Sequence, residues 1–73
     1  MDKKIIAWAA RDKSGILFIY TRKPIKGKSC EAWYLKGDEI GGVRIEMDMK
    51  KFPEVKWEDD EPTKVELTIK ICK

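Results

Sequence analysis

Lys64, Val65, Glu66, Leu67, Thr68, Ile69, Lys70 and Ile71 alternate polar and apolar without a miss. That is the period of a β-strand with one face wet and one face buried. A helix would scatter the same four apolar residues around its circumference. Whatever this chain folds into must therefore offer its last stretch a sheet and a core.

The rest of the chain repeats this kind of signal. Residues 3–10 form a first strand, with Ile6, Trp8 and Ala10 on one face and Ile5, Ala7 and Ala9 on the other. A strand apolar on both sides is central or covered. Arg11, Asp12, Lys13, Ser14 and Gly15 make a turn, because Asp and Ser bond locally to backbone and Gly tolerates positive φ. Residues 16–21 then return as the second arm of a hairpin. Pro24 ends that arm, since it donates nothing to a ladder. Residues 22–29 are read as a loop. A third strand covers 30–35, and residues 36–39 form a second turn. Gly41 and Gly42 mark a bend or bulge. In the fourth strand Val43, Ile45, Met47 and Met49 alternate with Arg44, Glu46 and Asp48. Residues 50–57 are too short and Pro-interrupted for a helix; a single 3₁₀ turn is expected around 50–52. Phe52, Val55 and Trp57 are expected to plug one end of the core. An acidic turn at 58–61, closed by Pro62, leads into the last strand.

Five short strands with regular turns and no helix predict an all-β domain. The expected architecture is a small antiparallel barrel of the SH3-like or OB-like kind, or a curled sheet; closure would remove exposed edges. At 73 residues the chain is one domain, 1–73. A domain of this size buries only about 60% of its unfolded surface, which leaves no room for a deep cofactor cavity. No cofactor is expected.

Composition bounds the chemistry. The chain has no histidine, so the commonest neutral-pH base and the commonest zinc ligand are missing. Ser14 and Ser29 fall in loops with no base near them in sequence. Phosphate-loop, dinucleotide and paired-cysteine motifs do not occur. The expectation is a protein that is not an enzyme. The acidic turn lacks the spacing of a calcium loop, so it reads as a solvated turn and no metal is expected. Cys30 and Cys72 fit no metal spacing; they read as small apolar residues, or as a disulfide if their strands meet. No run approaches the ~20 apolar residues of a membrane span, and residues 5–10 are too short for a signal core. The expected location is the cytoplasm, with no membrane partner.

Two features point to binding. Arg22, Lys23, Lys26 and Lys28 place four cations in a seven-residue loop with no acid. Such a loop can clamp phosphates, and Tyr20, Trp33 and Tyr34 on flanking strands can stack on bases. The plainer reading is a wet loop beside core aromatics. The net charge of +3 and pI near 8.9 permit a nucleic-acid partner without requiring one. Trp8, Trp33 and Trp57 are many for this length. Two are expected in the core and the third on a partner surface, since tryptophan is enriched at binding hot spots; Trp33 is the one expected there, because its strand begins and ends in polar loops.

Trp8, Ala10, Arg11, Asp12, Gly15, Leu17, Tyr20, Lys23 and Pro24 spell W-x-A-R-D-x-x-G-x-L-x-x-Y-x-x-K-P. Residues 52–67 spell F-P-E-V-x-W-E-D-x-E-P-x-x-V-E-L. This pattern resembles a group of small proteins of gut bacteria and their phages that carry no assigned activity. It covers both ends and departs over 25–51. The resemblance implies a mobile-element or prophage origin and a task of binding something of the host or of the phage particle. The combined expectation is a small binding module for a protein partner, or for itself through an exposed strand edge and Trp33. The alternative is a nucleic-acid-binding β-barrel using loop 22–28.

Overall fold

The computed structural model describes residues 2–36 and 41–70. Among them are six strands and no helix: β1 (Asp2–Arg11), β2 (Leu17–Tyr20), β3 (Ile25–Gly27), β4 (Ala32–Tyr34), β5 (Arg44–Met47) and β6 (Thr63–Lys70). The all-β expectation holds. The count of five does not, because β3 forms inside the stretch expected to be a loop. It pairs antiparallel with β4, with Lys26 opposite Trp33. The turn at 36–39 lies mostly outside the described residues, as do Ile71 and Cys72, and with them the pairing of the two cysteines.

The main sheet has four strands in the order β5-β2-β1-β6, and all its pairs are antiparallel. Among the described residues it is open, with β5 and β6 as its edges, so of the two expected architectures the closed barrel is not formed and a curled sheet is compatible. β1 is central, as its two apolar faces require. Its first eight residues pair with β6, Asp2 opposite Lys70 through Ala9 opposite Thr63. Only its last four pair with β2, from Trp8 opposite Tyr20 to Arg11 opposite Leu17. The β1–β6 ribbon therefore projects past β2. The radius of gyration of 12.8 Å exceeds the roughly 11 Å of a compact chain of this length for that reason.

Each face of the sheet has its own core. On one face Ala7, Ala9, Leu17 and Ile19 are buried with Val55, flanked by Met47, Val65 and Leu67. On the other, Ala10, Phe18 and Tyr20 are buried under Trp33 of β4, with Ile16, Leu35 and Trp57 beside them. Two of the three expected plug residues thus separate, Val55 to one face and Trp57 to the other. The third, Phe52, is exposed and held at a φ of 47°. The segment between β5 and β6 wraps around one end of the sheet. The 3₁₀ turn expected at 50–52 is a plain turn, closed by Lys51 N–H donating to the Asp48 carbonyl at 2.9 Å. Among the described residues no helix is long and apolar enough to cross a membrane.

Candidate functional site

Arg11 ends β1 and points into the wrapping segment. Its guanidinium presents five N–H donors in a fixed fork, and the fork is filled. Nε donates to the Val55 carbonyl at 2.7 Å. Nη1 donates to Gly15 at 2.8 Å and Met49 at 2.9 Å, and Nη2 to Lys51 at 2.9 Å and Phe52 at 3.2 Å. One side chain thus ties the first hairpin to the segment that delivers Val55. Asp12, next to it, is buried and accepts the Trp33 backbone N–H on Oδ1 at 3.0 Å. The sequence reading placed both residues in a turn and gave them no task. The signal that could have raised Arg11 is an arginine at a strand end before a tight turn; four of its five acceptors lie some forty residues away.

Trp33, expected on a partner surface, is 2% exposed. All of its polar groups are used inside the molecule. Its backbone N–H goes to Asp12, its indole Nε1–H donates to the Arg11 carbonyl at 3.0 Å, and its own carbonyl accepts from the Tyr20 hydroxyl at 3.2 Å. A tryptophan so clamped is a core residue. Tyr20 is buried as well, so neither is open to stack on a base. Burial pushes the Tyr20 phenol above its ordinary value of about 10; Arg44 opposes the shift and Asp12 adds to it. Of the three aromatics set aside for stacking, Tyr34 alone is exposed.

The cations of loop 22–28 divide in two. Lys23 pairs with Glu61 at 3.2 Å, both exposed. Lys26 is half-buried, donating through Nζ to the Trp57 carbonyl and, at 2.9 Å, to that of Asp59. Its ammonium also sits 4.4 Å from the centre of the Trp57 ring and 5.8 Å from that of Trp33, within range of a cation–π contact. Arg22 and Lys28 are exposed. The basic loop and the acidic turn therefore lie against each other and neutralise part of each other's charge. A cleft of about 430 Å³ runs between them, with Lys23 and Lys26 on one wall and Asp60 and Glu61 on the other. Its mixed charge suits no single class of ion. Asp59 closes its own turn, its Oδ2 accepting from Lys56 N–H at 3.0 Å. Cys30 is exposed in the turn between β3 and β4.

The least satisfied surface lies elsewhere, on β5. Val43, Ile45 and Met49 are 53%, 52% and 55% exposed. Ile45 stands opposite Ile19 and Met47 opposite Leu17, so this apolar row continues the Val55 face of the core to the edge of the sheet. Thr21 N–H donates to the Val43 carbonyl at 3.0 Å. Antiparallel ladders alternate, so Val43, Ile45 and Met47 turn their backbone groups toward β2, while Arg44 and Glu46 turn theirs outward. The Arg44 guanidinium lies 4.4 Å from the centre of the Phe18 ring. Sequence reasoning identified this alternation as one wet and one dry face. It could not tell that the strand would be an edge. No family model, curated protein or solved structure matches the chain.

Proposed function

We propose that this chain is a small non-catalytic binding module that works in the cytoplasm by contact with another polypeptide. The observation that carries the reading is the β5 edge. There, exposed Val43, Ile45 and Met49 adjoin a row of outward backbone groups. Edges of this kind recruit an extra strand, with main-chain bonds supplying affinity and alternate side chains supplying selectivity. Most natural edges are blunted by charge or covered; β5 has charge on one face only. The likeness of 8–24 and 52–67 to small proteins of gut bacteria and phages supports a mobile-element origin for such a module.

The nucleic-acid alternative draws less support from the geometry. Lys23 and Lys26 are occupied by the acidic turn, and Tyr20 and Trp33 are enclosed.

A photo-cross-linking side chain placed at position 45, and separately at position 64 on the far edge, tests the proposal in cells. Position 45 is expected to yield adducts that carry polypeptide and that vanish in a Glu46→Arg background; position 64 is expected to yield none. The reading fails if position 45 captures no polypeptide. It would give way to the nucleic-acid alternative if the protein were then retained on nucleic acid at low salt and released by Arg22→Glu with Lys28→Glu.

A further inference from the structure

The edge that carries the proposed function is complementary in charge and backbone direction to a second copy of itself. We infer that β5 pairs antiparallel with β5 of a second copy of this chain, around a two-fold axis through Ile45. The inference rests on the reading of β5 as a binding edge and specifies its occupant.

Three observations select this partner. The first is the direction of the backbone. Arg44 and Glu46 have the outward N–H and C=O groups. In a pairing centred on Ile45, Arg44 of one copy lies opposite Glu46 of the other, so the outward groups of both copies meet in hydrogen-bonded pairs. The second is charge. The same register sets Arg44 against Glu46 twice over, on the face where both side chains are exposed. A shift of the centre to Arg44 would set arginine against arginine, and a shift to Glu46 would set carboxylate against carboxylate. Opposite charges directly across a ladder stabilise it and like charges destabilise it, so the sequence favours one register. The third is the apolar row. Ile45 meets Ile45 at the axis, and Val43 of one copy meets Met47 of the other on both sides of it. That contact covers Val43 and Ile45, which otherwise stand about half exposed, and extends over the partly buried Met47.

The opposite edge is a poorer candidate. β6 places exposed Lys64 and Glu66 along its length, and its apolar Val65 and Leu67 are already half-buried against the Val55 face. Lysine along an edge is a usual guard against pairing. A two-fold contact also closes on itself: once β5 meets β5, the two sheets become one of eight strands with guarded β6 edges outermost. A chain this short gains most from such an addition, because its own core is small.

The interface is an edge of a few residues, small beside the roughly 800 Å² per partner of standard complexes. A concentration-dependent equilibrium is therefore expected. Sedimentation equilibrium from low micromolar to millimolar protein should show the mass rising from 8.5 kDa toward twice that value. Ile45→Lys should leave a monomer at every concentration. Glu46→Arg makes the charged face all positive, and Arg44→Glu makes it all negative; each alone should be monomeric. An equimolar mixture of these last two should recover the doubled mass, which also shows that both are folded. The inference is overturned by a wild type that stays monomeric, by a doubled mass that survives both Ile45→Lys and Glu46→Arg, or by a mixture that does not associate. A monomer whose position 45 still cross-links to foreign polypeptide would sink the second copy alone. A monomer that captures nothing would sink the binding edge too.

Discussion

Replacing Arg11 with methionine should remove about 3 kcal/mol of stability. Methionine keeps the unbranched stem and loses every donor. A hydrogen bond from a charged group is worth ~1.5–3 kcal/mol net. Of the five carbonyls that Arg11 serves, those of Val55 and Gly15 are partly buried, at 2.7 and 2.8 Å. Those of Met49, Lys51 and Phe52 are exposed, and water can take the place of arginine there. Counting two bonds at the lower figure and none for the exposed three gives about 3 kcal/mol. In a domain of this size each kcal/mol moves the melting temperature by ~4–8 °C. The variant should thus melt about 12–24 °C lower. Arg11→Lys keeps the charge but ends in a single ammonium that cannot span the fork, so it should recover less than half. Urea unfolding followed by tryptophan fluorescence reads both, with the midpoint falling and the slope unchanged. If Arg11→Met stays within about 0.5 kcal/mol of wild type, the brace contributes nothing. If Arg11→Lys equals wild type, charge and not the fork is what counts.

Three further outcomes follow from single contacts. A Cβ on Gly27 would stand 2.4 Å from Cys30 Sγ and 3.0 Å from the Ala32 carbonyl oxygen. Gly27→Ala should therefore cost about 1–3 kcal/mol, the usual range for overpacking, with part of the loss restored by adding Cys30→Ala; equal stability of Gly27→Ala and wild type in urea would refute the clash. Burial raises the Tyr20 phenol, so the folded state prefers the neutral form. Its contribution is complete below about pH 10 and is lost as pH rises through the folded value. Stability should decline above pH 10 in wild type and decline less in Tyr20→Phe, as read by urea midpoints across that range; parallel declines would show that Tyr20 is not responsible. Lys26→Met removes the bonds to the Trp57 and Asp59 carbonyls and the charge over Trp57. Hydrogen–deuterium exchange should become faster over 56–60, and unchanged protection there would mean the lysine does not hold the acidic turn.

The alternating stretches were legible because side-chain period is a local property. Both faces of β1 and the dry face of β5 follow from it. β3 was not legible, because Pro24 and Gly27 are punctuation in sequence. Pro24 lies just before the strand, and Gly27 is needed because Cys30, Ala32 and Tyr34 crowd the place a Cβ would take. The choice between a closed barrel and an open, curled sheet was not legible either. Strand order depends on which arms meet, and the pattern of β5 is the same whether it is central or an edge. Trp33 was misjudged because its neighbours in sequence are polar loops, while its neighbours in space are Arg11, Asp12 and Tyr20. The charges of 22–28 looked free because Glu61, Trp57 and Asp59 are more than thirty residues away.

Both faces of β1 are apolar, so the sheet needs two covers, and the chain supplies them unequally. One face receives a second, two-stranded sheet with Trp33 at its centre. Among the described residues the other receives, from outside the main sheet, one buried residue, Val55, held in place by Arg11. Where that cover ends, Val43, Ile45 and Met49 begin, so the proposed binding edge is the uncovered margin of a thinly roofed face. Loosening the roof should widen the exposed margin. Arg11→Met at a temperature where it remains folded should therefore bind more of an apolar dye than wild type, and should form species heavier than a dimer. Ile45→Lys in the same protein should reduce the dye signal, because it breaks the row at its centre. Fluorescence titration and sedimentation velocity measure the two effects. Dye binding that does not change with Arg11→Met, in a protein shown to be less stable, would separate brace from edge and make their adjacency incidental.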